Sequence, residues 1–463
     1  MRGKVVFVVI AAMLLVLVWL VGSRSRDPHV MPAPRVDEAA APSASQQATA
    51  PAESVPTGQA SAEAGSVANA ERDAAGAAAD ARVAALDRAV RVVAPSWELA
   101  AALLVANGGR MTADGSAVRA SGIQATVDVV AAERDVEARL ARGGGDADGA
   151  DVAVVPLPDF VASYERLRAL EPRVFHVAGW SHGREVLLGA RDGMLAKPIS
   201  PAGDVAVVAA DTSSEVLALF ALDEAGQPPT KVRLGGDPQN AAYAAVVRPL
   251  SGDRPSGAPA KVLLSTAEAA QLVPFVAVAA RGFVEAHRDA LASLLKAWSR
   301  GSTALFDDVP SAARRIASEP GAPEPAALLE RLGWVSPVHP IDVAVALGIS
   351  GSGTATVGAL FALDWRLLRD AGVLTSPAPP TPPVAKEPFA TAFPETTGGE
   401  GAPANASRAT APDARVLLAR RADKPDAQAT NDDVAWLSSV FPSCPVRVAT
   451  RGGATVIEVL SPP

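Results

Sequence analysis

The chain has 463 residues, 49% of them hydrophobic but only 4% aromatic, so a single core cannot organise all of it and a large or two-lobed domain with tails is expected. Its net charge of −8 argues against nucleic acid as a partner, because a phosphate-binding face needs a basic surplus. The single cysteine, Cys444, excludes an intrachain disulfide and a cysteine-based zinc cluster.

The N-terminus reads as a membrane segment. Met1, Arg2, Gly3 and Lys4 precede an unbroken apolar run from Val5 to Val21, and Gly22, Arg24 and Arg26 follow it. About 17 residues rise roughly 25 Å as a helix, the short end of a membrane span. An export signal has the same layout, and its cleavage would release the chain into the periplasm. No small-x-small cleavage site follows directly, and no cysteine is placed there for a lipid. The expectation is therefore an uncleaved signal-anchor transmembrane segment over residues 1–26, basic end inside, with the rest facing the periplasm from the inner membrane. Residues 27–88 are Ala, Pro and Ser with few core-forming side chains, a composition that predicts a disordered tether.

Folded structure is expected from residue 89. Val90 to Ala94 reads as a strand, Pro95-Ser96-Trp97 as a turn, and Glu98 to Ala106 as a helix stopped by Asn107, Gly108 and Gly109. A strand from Ile123 to Val130 and a helix from Glu133 to Ala141 lead to a glycine/aspartate loop at 143–149. The run DVAVVPL (Asp151 to Leu157) is a third strand, with a helix from Asp159 to Leu170 behind it. Strands alternating with helices imply βαβ units and a mostly parallel sheet.

The central stretch carries the most chemistry. A strand from Val174 to Ala178 is expected to end in a turn from Gly179 to Arg184, followed by strands Val186 to Gly189 and Val205 to Ala209. Asp211, Thr212 and Ser213 then open an amphipathic helix. Free N–H groups and the positive end of a helix dipole make that corner suited to a carboxylate, sulfonate or phosphate. A strand from Lys231 to Leu234, a helix from Asp237 to Val246 and a strand from Lys261 to Ser265 complete this part.

Later residues read as helical. Phe283, His287, Leu291, Leu294, Leu295 and Trp298 share one face, with Glu285, Arg288, Asp289, Lys296 and Arg300 opposite. Further helices are predicted at 311–318, 325–332 and 360–371, the last stopped by Gly372. Residues 377–412 read as a Pro-rich linker. A small α/β C-terminal segment occupies 413–463, with a strand at 415–420, a helix at 432–441 and strands at 446–450 and 455–460.

Residues 89–376 resemble the two-lobed periplasmic solute-binding proteins of the nitrate/sulfonate/taurine type, which serve ABC importers. The likeness is carried by Ser181-His182-Gly183-Arg184-Glu185 with VLLGARDG, by DTSSEVLALFALDEAG, by LLSTAEAAQLVPFVAVAARGFVEAH, by AWSRGSTALFDDVPSAARRIA and by WRLLRDAGVL. The family's usual Asp-Leu-Lys-Gly-Lys turn is replaced here by SPAGD. The resemblance implies an α/β, type II periplasmic-binding-protein-like fold, with lobe 1 at about 89–175 and 275–376 and lobe 2 at about 176–274. The final segment faintly resembles the start of an outer-membrane-protein-A-like domain, ending before that family's Asp/Arg binding positions, so peptidoglycan binding is not carried over.

Ligand contacts are expected from the polar corners. Ser181, Gly183 and Arg184 would donate from the hinge side, and Thr212 and Ser213, with Ser214, from a helix N-terminus; ordinary turn and N-cap roles are the alternatives. Ser96 and Trp97 end the first strand at the same rim, Trp97 serving either as a stacking wall or as a core side chain. Ser265 and Thr266 fit a hinge better than a contact. No HExxH or phosphate-loop motif occurs, and Ser181 and His182 are strand neighbours whose side chains diverge. The resulting expectation is not an enzyme and involves no cofactor or metal. It is a membrane-tethered solute-binding protein for a small anionic or zwitterionic ligand, with an importer permease as partner. The alternative is an envelope scaffold or sensor that keeps the fold without ligand transport.

Overall fold

Val90–Ala94 (β1) forms the parallel heart of the first sheet, flanked by Ala125–Val129 (β2) and Val152–Pro156 (β3). The computed structural model containing it describes residues 86–189, 205–209, 211–226, 232–234, 243–247, 261–351, 354–397, 416–421, 427–451 and 454–460. The expected signal-anchor and nearly all of the expected tether lie outside these residues. Among the described residues no helix is long and apolar enough to cross a membrane.

The remaining strands are Arg173–Ser181 (β4), Glu185–Gly189 (β5), Val205–Ala209 (β6), Val232–Leu234 (β7), Tyr243–Val247 (β8), Lys261–Ser265 (β9), Pro274–Ala279 (β10) and Val335–Ser336 (β11). The C-terminal segment adds Val416–Arg421 (β12), Val446–Arg451 (β13) and Ala454–Leu460 (β14). The first sheet has the order β11-β4-β10-β3-β1-β2, with β10 antiparallel to both neighbours. The second has the order β7-β6-β8-β5-β9. The chain leaves the first sheet between Ser181 and Glu185 and returns between Ser265 and Pro274, and two such crossings are what make the fold two-lobed. Strands β3 and β10 are buried along their whole length, which is why VAVVP and PFVAVA read as continuous apolar runs.

Helices cover the sheets: Trp97–Asn107 (α1), Ala117–Ala120 (α2), Glu133–Arg142 (α3), Leu157–Leu167 (α4), Thr212–Glu224 (α5), Arg281–Ala286 (α6) and Arg288–Asp307 (α7). They continue with Val309–Ala317 (α8), Pro325–Leu332 (α9), Pro340–Ala346 (α10), Val357–Asp370 (α11), Glu387–Ala392 (α12) and Ala427–Val440 (α13). Helix α1 is buried on nearly every side because it lies between the sheet and α7. Helix α5 is likewise enclosed, by the second sheet, by α4 and α11, and by β12. It is therefore not the amphipathic helix expected; Val216 through Leu222 are all fully buried.

Several expected boundaries move. The helix predicted from Asp237 to Val246 is replaced at 243–247 by β8, whose Tyr-Ala-Ala-Val-Val run sits between β6 and β5, where ladder hydrogen bonds and packing override local propensity. The turn expected from Gly179 is strand through Ser181, because Trp180 pairs with Pro274 and Ser336. The first sheet thus keeps the chain up to Ser181 rather than to residue 175. The single apolar stripe around Phe283 to Trp298 belongs to two helices, divided at His287.

The Pro-rich stretch also does more than link. Val174 donates to the Pro383 carbonyl at 2.8 Å, Ala385 donates back to Val174 at 2.8 Å, and Phe389 is fully buried on α7 and β4. The C-terminal segment shares the same core. Phe441 stacks on Phe220 of α5 at 6.0 Å, Gln271 donates to the Val440 carbonyl at 3.2 Å, and the Thr354 and Ser439 hydroxyls lie 2.5 Å apart.

Candidate functional site at the crossover

The first crossover is built from a left-handed glycine and a buried salt bridge. Gly183 has φ 78°, a conformation a side chain would strain, and its N–H donates to Thr266 Oγ1 at 2.9 Å. Thr266 lies just past β9, so this bond ties the outgoing chain to the returning one. Ser181 reinforces the tie, its hydroxyl 2.6 Å from Thr266 Oγ1 and donating to Glu185. Of the two residues expected at a hinge, Ser265 and Thr266, it is Thr266 that makes these contacts. His182 is exposed, whereas the neighbouring Ser181 is buried.

Arg184 and Glu185 join the corners of both sheets. The Arg184 guanidinium pairs with Glu185 and reaches Ser213 Oγ at 3.4 Å in the second lobe. Its Nε lies 3.5 Å from Glu98 Oε1 in the first turn of α1, in the first lobe. The Ser213 hydroxyl lies 3.0 Å from Glu185 Oε1 and 3.1 Å from Asp211 Oδ1, with its one proton shared between the two carboxylates. Ser181, Glu185 and Ser213 have no solvent exposure. Burial lowers the guanidinium's proton affinity, but Glu185, Glu98, Asp211 and Asp159 more than offset it, and the pKa of Arg184 rises above its ordinary value.

Of the seven residues the sequence singled out, the structure brings Ser181, Gly183, Arg184 and Ser213 into one network. Ser96 stands at the N-cap of α1, two residues before Glu98, with its Oγ buried and without a hydrogen-bond partner. Trp97 is 8% exposed and belongs to the hydrophobic core, which favours the core role over the stacking wall. Thr212 is half-buried at the first position of α5.

One expectation is met differently. The N-terminus of α5 is already served by the protein's own carboxylates: Asp211 accepts from Ser214 N at 2.8 Å, and Glu185 sits against Ser213 where an anionic ligand was expected. Sequence reading missed Glu98, Asp159 and Glu185. A residue-by-residue signal for Glu98 and Glu185 existed, since both are carboxylates at strand-end corners already marked as the rim.

Glu98 Oε2 and Ser214 Oγ are also buried without a hydrogen-bond partner, and Arg184 Nε makes its Glu98 contact by charge alone. These atoms line the part of the interlobe seam whose hydrogen-bonding capacity is incompletely used. Burying such groups unpaired costs about 1–3 kcal/mol each.

No protein-family model matches the sequence, and a search of curated proteins gives no match. Solved structures of similar shape include the ligand-binding component of an ABC-type import system from Staphylococcus aureus with zinc bound, at 12% identity over 65% of this chain and 98% of that one, with a TM-score of 0.45. The periplasmic aliphatic sulphonate binding protein of Escherichia coli is similar at 15% identity over 71% and 98% of the two chains, with a TM-score of 0.43. The alkanesulfonate-binding protein of Xanthomonas axonopodis pv. citri, bound to MOPS, is similar at 13% identity over 63% and 96%, with a TM-score of 0.44. The likeness assigns neither ligand nor role to this chain.

Proposed function

We propose that the chain is an extracytoplasmic solute-binding protein that captures a small anionic or zwitterionic ligand between two lobes and delivers it to an ABC importer permease. In this reading residues 1–26 hold it to the inner membrane, 27–88 form the tether, and 89–376 form the binding domain. Residues 377–412 connect that domain to a C-terminal α/β segment at 413–463. Ser96, Ser181, Gly183, Arg184, Thr212 and Ser213 form the rim of the site, and the neighbouring Trp97 belongs to the core. The reading is one of binding rather than catalysis.

The observation that carries it is the convergence of both lobes on Arg184. One guanidinium faces Glu98 from the first lobe and Ser213 from the second, beside a crossover that Thr266 ties to its return strand. Hinge opening at 181–185 and 265–274 separates these partners, and closure over a ligand reunites them, the ligand's water being replaced by protein groups.

A second reading, an envelope scaffold or sensor that no longer transports a ligand, draws on the same network: Glu185 and Arg184 fill the seam from within. A thermal-shift screen of the full chain in detergent separates the two. A rise of several degrees with one ligand class supports capture, and silence across amino acids, amines, sulfonates, nitrate and phosphate supports the scaffold.

A further inference from the structure

Resting on the solute-capture reading and narrowing its ligand class, we propose that the interlobe site takes a small ligand, a zwitterion or amine, through a primary ammonium group whose N–H is received by the Oε2 of Glu98. Three observations lead there. First, the seat an anion would use is taken. Asp211 caps α5 through Ser214 N at 2.8 Å, and the Ser213 hydroxyl shares its proton between Glu185 and Asp211.

Second, the charge around the seam has the wrong sign for an anion. Among the described residues Glu185 and Glu98 contact the Arg184 guanidinium, and Asp211 and Asp159 add to the carboxylate field that acts on it. All but Asp211 are buried, so water screens them little. An incoming sulfonate or nitrate meets that excess, whereas an ammonium group is drawn to it.

Third, the unfilled hydrogen-bonding capacity includes a carboxylate acceptor on the first-lobe side, opposite the unpartnered donor Arg184 Nε. Glu98 is 5% exposed and its Oε2 has no hydrogen-bond partner, while its Oε1 faces Arg184 Nε at 3.5 Å across the seam. An ionised carboxylate oxygen only accepts, so its complement must donate. Ser96 Oγ, likewise buried and unpartnered on the first turn of the same helix, is able to accept a second N–H.

The test is a thermal-shift and calorimetric comparison on the full chain in detergent at matched ionic strength. Methylammonium and 1,4-diaminobutane are set against tetramethylammonium, methanesulfonate and nitrate. The expected result is a rise of about 3–5 °C with a saturating N–H-bearing amine and less than a third of that with tetramethylammonium, which has no N–H to donate. An equal or larger rise with methanesulfonate or nitrate overturns the inference and leaves solute capture standing. No rise with any probe overturns the inference, while solute capture itself is decided by the wider ligand screen. Glu98→Gln is expected to lower amine affinity at least about tenfold while circular dichroism stays unchanged. Full amine affinity in a folded Glu98→Gln protein overturns the assignment to Glu98, and the wild-type probe series decides the ligand class even where that variant does not fold.

Discussion

Arg184 Nε lies 3.5 Å from Glu98 Oε1, so the short segment joining the two sheets is ion-paired to the opening turn of a helix that packs on the first sheet alone. The same guanidinium holds Glu185, which has no solvent exposure. Removing the cation leaves a buried carboxylate supported only by hydroxyls. Arg184→Met is expected to lower unfolding free energy by about 3–5 kcal/mol, and Arg184→Met with Glu185→Gln to recover part of it, because no lone charge remains. Urea unfolding compares the three proteins; equal midpoints for the single and double variants would show that the charge left behind is not the cause.

Gly301 marks the closest approach of two helices. A Cβ there would lie 2.2 Å from the Ala102 carbonyl oxygen and 2.6 Å from Ala106 Cβ, both on α1. Neither neighbour is a flexible side-chain end, so α7 must move away from α1. Gly301→Ala is expected to cost about 1–3 kcal/mol despite its better helix propensity, read as a drop in Tm. An unchanged Tm would mean that the two helices separate without loss.

Asp364 on α11 is fully buried with neither carboxylate oxygen hydrogen-bonded, and burial pushes its pKa well up. In the unfolded chain the group ionises near pH 3.9, so the folded state loses stability as pH rises from there toward the raised folded value. Asp364→Leu removes both the proton linkage and the unpaired polar atoms. The expected gain at pH 7 is about 1–3 kcal/mol, shrinking toward pH 4, measured by denaturant titration at both values.

His176 has the opposite sign. It lies 5.1 Å from Trp298 and 6.3 Å from Phe389, ring to ring, with Nδ1 unpartnered, and burial pulls its pKa down to about 3. The unfolded imidazole takes up a proton near pH 6.5 that the folded one refuses, so stability falls as pH drops from 6.5 toward 3. His176→Phe is expected to flatten this part of the Tm–pH curve and raise Tm at pH 5 more than at pH 8. Parallel curves for variant and wild type would place the acid sensitivity elsewhere.

Phe441 ties the C-terminal segment to the lobes. It is fully buried against Phe220, and the adjacent Val440 carbonyl accepts from Gln271 on the returning crossover. Phe441→Ala is expected to cost about 3–5 kcal/mol and to speed hydrogen exchange in β13 and β14 before β1 and β3. Uniform exchange changes would mean that the segment does not open by itself.

Local pattern made much of this architecture legible. The βαβ alternation from Val90 to Leu167 follows from apolar runs of strand length separated by helix-period stretches with glycine stops, and the structure matches those elements within about two residues. The corners at Ser181 and Ser213 were visible because small polar residues gather where strands end. Burial from partners far along the chain was not visible. Helix α5 is wrapped by elements from both lobes and by β12, so its apolar residues face every direction. Tyr243 to Val247 has no strand signal strong enough to compete until β5 and β6 flank it.

By itself the sequence determined the alternation of strands and helices and the polar corners, since these depend on residue spacing and on what each turn tolerates. Tertiary structure alone decided what those corners hold. Glu98 and Arg184 are 86 positions apart, and nothing local tells that their charges meet in a water-poor seam, or that carboxylates outnumber the guanidinium there. Electrostatics acts through space, and its sign at a site is a sum over residues that only folding brings together.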